Sequence, residues 1–257
     1  MIDVSSKKRI VLKLGTSTLT HKTGKLNIRR MTNLVRILSD LHNAGKELLL
    51  VSSGAVGMGV GKLNLPERPK DTPSKQAAAA VGQCELMHIY DDMFSKYNVT
   101  VAQILLTRAT LTNERLPHVQ NTIGRLLEMG VIPIVNENDT VAIDELELEI
   151  GENDSLSATV AAAVGADLLI ILSDINGLYS ADPRTDANAQ VIREVRKIDT
   201  RIEQMAGGAG SALGSGGMAT KINAAKIATE AGVDMVIMNG RDPEQLCLLY
   251  TSPSPRD

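Results

Sequence analysis

The feature that most constrains the fold is a series of short apolar runs that alternate with segments of helical periodicity. Six runs predict β-strands, at residues 9–14, 47–51, 99–106, 131–135, 167–172 and 234–238. A continuous apolar run without polar alternation is typical of a parallel strand that is buried on both faces. Residues 27–44, by contrast, place apolar side chains at helical spacing. The alternation predicts an α/β fold with a mostly parallel sheet.

The composition limits the core and the partners that the chain can have. With 257 residues, the chain suffices for one large α/β domain or for two lobes. It contains one Phe, four Tyr and no Trp, so the core must be aliphatic and no stacking platform for single-stranded nucleic acid is expected. The formal net charge of −3 gives no electrostatic reason to expect nucleic acid or an anionic membrane as a partner.

Neither the cysteines nor the apolar segments indicate export. Cys84 and Cys247 cannot form a disulfide framework or a zinc site of usual spacing, and each is expected to be a small buried residue. Residues 1–9 are charged and no apolar stretch with a cleavage site follows, so no signal peptide is expected. No apolar run reaches transmembrane length. We therefore expect a cytoplasmic protein.

The glycine-rich segment 208–221 is a candidate phosphate-binding loop. Glycines let backbone N–H groups approach a ligand closely, and the helix predicted at 217–231 adds the positive end of its dipole. Lys221, at the start of that helix, is a point charge that suits phosphate. A flexible surface loop is the alternative, because glycine runs often form one.

Polar residues also follow the first two predicted strands. Lys13 interrupts the first strand near its carboxyl end, where open α/β sheets bind ligands. A phosphate contact is favoured, and a lysine that extends to the surface from an edge strand is the alternative. The second strand opens into residues 52–59, where hydroxyl and N–H groups suit a carboxylate or a phosphate, although a plain βα turn explains them as well.

Two further clusters combine acidic and amide side chains. Residues 136–140 follow a predicted strand and suit an amino acid ligand, with acidic groups for its ammonium and amides for its carboxylate. Turn chemistry is the alternative. The second cluster comes after a predicted hairpin at 141–150, and there Asn153 or Asp154 is the expected N-cap of a helix at 156–164.

Several common site types do not match the sequence. No Walker A motif and no protein-kinase motif is present, and the G-x-G-x-x-A match at 214–219 follows a polar stretch rather than a strand. The four histidines lie in separate segments and are expected to be solvated: His21, His42, His88 and His118. Two lysines in glycine-rich contexts with carboxylates between them instead suit phosphoryl transfer, with Mg²⁺ bridging the phosphates.

Six pieces of the sequence resemble the amino acid kinases, and they occur in that family's order. They are residues 11–17, 51–55, 136–139, 151–154, 177–184 and 216–221. The resemblance covers residues 9–243 and implies a three-layer α/β sandwich with a mostly parallel central sheet. It also implies two lobes, an N-terminal one at 1–165 for the amino acid and a C-terminal one at 166–247 for ATP. Residues 248–257 form an atypical tail, and the PUA domain that many members carry is not expected.

The pieces at 11–17 and 136–139 favour the family member that acts on L-glutamate over those that act on aspartate, acetylglutamate or UMP. The implied reaction is phosphorylation of the glutamate side-chain carboxylate by ATP to L-glutamyl 5-phosphate, the first step of proline synthesis. Another member of the family and a non-catalytic regulator that binds nucleotide or amino acid remain alternatives. The resemblance also suggests a homo-oligomer, either a dimer or a tetramer, and feedback inhibition by proline.

The resemblance assigns roles to individual residues. Lys13 and Lys221 neutralise the transferred phosphoryl group, and Asp154 orients them. The glutamate-binding positions are Ser53, Asp139 and Asn153. The nucleotide site comprises Ser173, Asp174, Ser215, Gly216, Gly217, Met218, Ala219, Thr220 and Lys221, and Lys13 also contacts it. Ala219 stands where the family usually has Ser, which puts a side-chain contact there in doubt. No protein metal ligand is implied, because Mg²⁺ is held mainly through phosphates.

Overall fold

The computed structural model describes residues 4–21, 25–111, 114–141, 153–181, 186, 188–205 and 217–249. The strands are Arg9–Leu14 (β1), Glu47–Ser52 (β2), Thr100–Leu106 (β3), Val131–Glu137 (β4), Leu168–Ser173 (β5), Leu178–Tyr179 (β6), Val191–Ile192 (β7) and Asp234–Asn239 (β8). The α-helices are Thr16–Leu19 (α1), Ile28–Asn43 (α2), Ala55–Lys62 (α3), Thr72–Ser95 (α4), Leu116–Glu128 (α5), Asn153–Ala163 (α6), Thr200–Met205 (α7) and Gly217–Glu230 (α8). Two 3-10 helices span Arg108–Leu111 and Pro243–Leu249.

Six strands form one parallel sheet in the order β3-β4-β2-β1-β5-β8. All six correspond to apolar runs of the sequence, so the predicted parallel α/β sheet is confirmed. β1 is a central strand, and its Lys13 lies opposite Val51 of β2 and Ile171 of β5. Since every strand points the same way, the carboxyl ends of all six lie along one edge of the sheet.

The sheet is covered by helices on both faces, which confirms the three-layer sandwich. Successive residues of β1 point into different apolar layers: Leu12 packs in one and Val11 in the other. The first layer contains the aromatic residues of α4, Tyr90 and Phe94. The second contains Ala158 of α6 and Ala224 of α8. Aliphatic strand residues thus form the centre of both layers, as the composition predicted.

The helix ends follow local capping chemistry. The Asn27 side chain accepts from the Arg30 backbone N–H at 3.1 Å at the start of α2, and Gly45 after that helix has a φ of +93°. Gly232, the predicted cap after α8, has a φ of +78°. The helix expected over residues 113–130 is shorter: α5 spans Leu116–Glu128, and Pro117 lies in its first turn, where proline is favoured.

Helices α3 and α4 approach closely because each has a glycine at the crossing. A Cβ built on Gly59 would lie 1.8 Å from the carbonyl oxygen of Ala78, and one built on Gly82 would lie 1.8 Å from that of Ala55. Backbone meets backbone here, so no larger residue fits without separating the helices. The contact fixes α3, and with it the loop after β2, against the long helix α4.

The sheet continues across the predicted boundary at residue 165. That boundary falls between α6 and β5, and β5 pairs with β1 along most of its length. The division into two lobes therefore remains a prediction about which ligand each half of the chain binds. Apart from Val141, the predicted hairpin at 141–150 lies outside the described residues. Residues 206–216 and 250–257 also lie outside them.

Two expectations about single side chains are wrong. Cys84 and Cys247 are exposed rather than buried, and Cys84 lies off the face of α4 that packs on the sheet. His42 is half-buried and its Nδ1 has no hydrogen-bond partner in the described part of the chain, whereas the other three histidines are exposed as predicted. Among the helices that the structure describes, none is both long and apolar enough to cross a membrane.

Candidate active site

Two lysines far apart in the sequence share one carboxylate. The Nζ atom of Lys13 lies 2.7 Å from Oδ1 of Asp154, and Nζ of Lys221 lies 3.0 Å from Oδ2 of the same side chain. Each carboxylate oxygen therefore has its own ammonium group. The structure brings together the three residues that the family resemblance assigned to the transferred phosphoryl group.

This cluster is buried and carries a net positive charge. Asp154 is fully buried, while Lys13 and Lys221 are 7% and 5% exposed. Burial opposes the charged form of Asp154, but the two lysines outweigh it, so the pKa of this carboxyl lies below its usual value. With the carboxylate ionised, two positive charges face one negative charge, and the surplus charge favours an anionic ligand.

The fold positions each member of the cluster on a rigid element. Lys13 projects from the central strand β1, so the alternative of a lysine on an edge strand is wrong. Lys221 is the fifth residue of α8, one turn after its start, and its Nζ also donates to the Gly217 carbonyl at 3.0 Å. Thr220 donates to Oδ2 of Asp154 at 3.3 Å and to the same Gly217 carbonyl at 3.1 Å.

Asp154 lies in the first turn of α6, which begins at Asn153 rather than at residue 156. The expected N-cap role of Asn153 or Asp154 is therefore wrong, because both residues belong to the helix itself. Both side chains are instead used in contacts with other elements. The N-termini of α6 and α8 meet at this cluster, and helix N-termini favour anions.

The predicted amino-acid positions lie beside the lysine cluster. Asn153 precedes Asp154, and its Nδ2 donates to the main-chain oxygen of Ser52 at 2.9 Å. Ser53, the next residue after β2, donates from its Oγ to the Leu14 carbonyl at 3.1 Å. Asn153 and Ser53 thus lie at the carboxyl ends of β1 and β2, close to Lys13. Asp139 is half-buried in the turn after β4.

Asp139 lines a small open pocket between α3, α4 and the ends of β3 and β4, with room for about one water molecule. The lining residues are Ala55, Ala79, Gln83, Leu105, Glu137, Asn138, Asp139 and Thr140. Small residues on the two helices leave this space open, while the β4 turn supplies polar groups. The pocket thus brings Asp139 near Gln83 of α4.

A sequence model of the Amino acid kinase family matches residues 8–239. The chain belongs to the amino acid kinase family. Two similar proteins are both named glutamate 5-kinase. The one from Clostridium perfringens (strain 13 / Type A) is 56% identical over 242 residues, covering 93% of this chain and 90% of that protein. The one from Clostridium acetobutylicum is 53% identical over 244 residues, covering 95% of this chain and 91% of that protein.

Solved structures of other proteins with the amino acid kinase fold superpose on nearly the whole chain. A carbamate kinase from Giardia lamblia bound to AMP-PNP has a TM-score of 0.65 at 15% identity and covers 96% of this chain and 98% of its own. An isopentenyl phosphate kinase has a TM-score of 0.63 at 17% identity and covers 95% and 97%. At such low identity these likenesses show the shared fold alone.

The predicted nucleotide positions of this amino acid kinase lie on the other side of the lysine cluster. Ser173 ends β5, and its Oγ donates to Oδ1 of Asp174 at 3.3 Å. The first turn of α8 contains Gly217, Met218, Ala219 and Thr220, and Lys221 follows directly. Ser215 and Gly216 are outside the described residues. No cluster of three or more His, Cys, Asp or Glu side chains is placed to hold a metal within the described ranges.

Gln83 was missed as a sequence candidate, and Asn136 was predicted only as a member of the cluster at 136–140. Asn136 accepts from Asn153 at 3.1 Å and donates to Gln83 at 2.9 Å. Gln83 is a buried polar residue on the face of α4 that includes Ala79, Leu86 and Tyr90. A glutamine at a core position of a helix, within helical spacing of apolar residues, was the signal that could have found it.

Proposed function

We propose that this chain is a glutamate 5-kinase, which transfers the terminal phosphoryl group of ATP to the side-chain carboxylate of L-glutamate. The products are ADP and L-glutamyl 5-phosphate, in the first step of proline synthesis. The observation that carries the proposal is the buried Lys13–Asp154–Lys221 cluster, which adjoins Asn153 and the end of β2. The two similar proteins named glutamate 5-kinase support the choice of substrate.

The reaction requires charge stabilisation more than proton transfer. A glutamate side chain is ionised near neutral pH, because its ordinary pKa is about 4.3, and it attacks without a strong general base. Negative charge accumulates on the transferred phosphoryl group, where two fixed ammonium groups stabilise it. Asp154 holds both lysines in place, so they need no reorganisation during the transfer.

The substrates are proposed to bind on opposite sides of this cluster. Ser53, Asp139 and Asn153 bind L-glutamate in the N-terminal half, residues 1–165. The nucleotide binds in the C-terminal half, residues 166–247, with Ser173, Asp174 and the segment 215–221 around its phosphates. The lysine cluster joins the two halves, since Lys13 comes from β1 and Lys221 from α8.

ATP is proposed to enter with Mg²⁺, which the phosphates hold between them. The cation would offset part of the phosphate charge. Both oxygens of Asp154 are engaged by lysines, so this carboxylate is not a free metal ligand. Binding of Mg²⁺ mainly through ATP agrees with that arrangement.

Three further proposals rest on the family resemblance. The protein is a homo-oligomer of two or four subunits, acts in the cytoplasm, and is inhibited by proline at the glutamate site. Proline and glutamate are both small amino acids with an ammonium and a carboxylate group, so the same polar residues suit either ligand.

Hydroxylamine trapping of an acyl phosphate tests the activity. We expect hydroxamate with L-glutamate, ATP and Mg²⁺ and none with aspartate. UMP is tested by ADP release instead, because its product is not an acyl phosphate, and no turnover is expected. Lys221→Ala should lower kcat by about 10²-fold or more, because one of two charge-stabilising groups is lost. Lys226→Ala is the matched control: Lys226 is on the same helix but pairs with Glu203 at the surface, so kcat should stay unchanged.

Turnover of aspartate or UMP without turnover of L-glutamate would show that the protein is a different kinase of this family. An unchanged kcat in Lys221→Ala would contradict the role given to the lysine pair. Unlike the first result, this one would leave the substrate assignment standing.

A further inference from the structure

Asn153 holds its amide in a fixed orientation. Its Nδ2 donates to the main-chain oxygen of Ser52 at 2.9 Å and to Oδ1 of Asn136 at 3.1 Å. A backbone carbonyl only accepts, so the contact with Ser52 requires Nδ2 rather than Oδ1 on that side. Both amide hydrogens of Asn153 are thereby used. Within the described residues its Oδ1 has no hydrogen-bond partner.

The orientation of Asn153 is passed along a chain of amides. Oδ1 of Asn136 accepts from Asn153, so its Nδ2 points the other way and donates to Oε1 of Gln83 at 2.9 Å. Nε2 of Gln83 in turn donates to Oε1 of Gln103 at 3.2 Å. We call these four residues the amide chain. They come from α6, β4, α4 and β3, and every hydrogen bond runs in the same direction.

Burial makes the amide chain hard to reverse. Asn153, Asn136 and Gln83 are 8%, 2% and 7% exposed, whereas Gln103 is exposed at the outer end. A flip of Asn136 would set its Nδ2 against the Nδ2 of Asn153 and its Oδ1 against Oε1 of Gln83. Such contacts place two donors or two acceptors together where water cannot replace them. Oε1 of Gln83 therefore stabilises the orientation in which Asn136 accepts from Asn153, and this contact adds to the one that Asn153 makes with the Ser52 oxygen.

We propose that Gln83 is a positioning residue that, through Asn136, keeps the carbonyl oxygen of Asn153 available to the ammonium group of the amino-acid substrate. An ammonium group only donates and a carboxylate only accepts, so the unpaired Oδ1 matches the ammonium and opposes a carboxylate. The sequence alone had suggested that the amides bind a carboxylate. This inference rests on the proposed function and refines how the substrate is recognised.

Gln83→Met tests the inference, because it keeps the length of the side chain and removes the acceptor for Asn136. We expect the KM for L-glutamate to rise by about tenfold, the effect of one unsatisfied buried amide. The kcat and the KM for ATP should stay within about twofold. Glutarate, which lacks the ammonium group, is the probe: its inhibition constant against L-glutamate should change by less than about twofold.

Three variants separate positioning from general damage. Gln83→Glu keeps an oxygen that accepts from Asn136, and it should hold the KM for L-glutamate within about threefold of the wild type. Gln76→Met makes the same change on the same helix, outside the amide chain, and should leave the KM unchanged. Where Gln83→Met fails to fold, Gln83→Asn replaces it, since its shorter amide cannot reach Asn136 and should give the same shift.

The two proposals fail in different ways. A wild-type protein that produces no acyl phosphate from L-glutamate contradicts the proposed function. If the wild type is active and Gln83→Met keeps a normal KM for L-glutamate, the proposed function stands and only the inference is contradicted. The inference is also overturned if L-glutamate and glutarate weaken equally, because the lost contact would then not involve the ammonium group.

Discussion

At the scale of single residues, the site depends on one buried carboxylate between two ammonium groups. A buried ion pair contributes little net stability, but removing one partner leaves an uncompensated charge, which costs about 3–5 kcal/mol. Asp154 is the residue whose loss affects both lysines at once. The geometry of Lys13 and Lys221 is thus tied to the charge state of a single side chain.

Asp154→Asn should change how stability depends on pH. Burial opposes ionisation of Asp154, yet Lys13 and Lys221 hold its pKa below the ordinary value. As the pH falls below about 4, the unfolded chain takes up the proton first, so the free energy of unfolding decreases until the pH passes the folded pKa. Asp154→Asn lacks this carboxyl group. The difference in free energy of unfolding between the wild type and the variant should therefore become smaller as the pH falls through that range.

Urea unfolding of both proteins between about pH 6 and pH 2.5 measures this difference, because the change falls below the unfolded pKa of about 4. Other carboxyls with a lowered pKa, such as Asp167, are present in both proteins and cancel. A difference that stays constant over the whole range would mean that Asp154 does not titrate as an ion-paired carboxylate.

The sequence reveals such residues unevenly. Lys13 stood out because it interrupts an apolar strand, and the cluster around Asp154 stood out as polar. Their contact did not, because β1, α6 and α8 bring these residues together only in the fold, and Asp154 and Lys221 are 67 positions apart. Gln83 was missed because an alanine-rich helix shows only a weak apolar pattern, although its helical spacing from Ala79, Leu86 and Tyr90 was a signal that could have marked it as buried.

At the scale of elements, the candidate site depends on how closely α3 approaches α4. α3 begins directly after the β2 turn that contains Ser53, and glycines let its backbone contact that of α4. Periodicity predicted the long helix α4 to within about two residues, since its boundaries follow local sequence. It could not predict this crossing, because the glycines at 57, 59 and 61 look equivalent in the sequence.

Gly59→Ala should destabilise the protein, whereas Gly61→Ala should stabilise it. The new Cβ at position 59 would lie 1.8 Å from the Ala78 carbonyl oxygen, so the helices must separate, at a cost of about 1–3 kcal/mol or more. Position 61 has nothing within 4 Å, and replacing an exposed helical glycine by alanine contributes about 0.5–1 kcal/mol.

Thermal unfolding of the two variants, in the same helix and with the same substitution, isolates the contact from helix propensity. We expect the melting temperatures to move in opposite directions from the wild type. Equal shifts would show that the crossing of α3 and α4 tolerates a methyl group, and that the glycine at 59 is not required by packing.

At the scale of the whole molecule, one sheet joins the two proposed substrate halves. The sequence predicted two lobes, because its last third begins again with a strand, a glycine-rich loop, a helix and a strand, and because the family resemblance implies the same division. In the structure β5 and β8 extend the sheet from β1, and Lys13 contributes to the same cluster as Lys221. Pairing between strands distant in sequence depends on tertiary contacts that no local pattern contains.

A shared sheet should make the chain unfold in a single cooperative transition, because neither half can lose β1 or β5 without exposing the core of the other. ATP with Mg²⁺ and L-glutamate should therefore each raise the same melting transition. A ligand at 100 times its Kd stabilises by about 2.7 kcal/mol, which corresponds to roughly 5–10 °C for a chain of this size. Calorimetric scans with each ligand alone and with both measure these shifts. Two transitions, of which ATP raises only one, would instead show that the halves behave as separate domains, and the continuous sheet would then not govern the stability of the molecule.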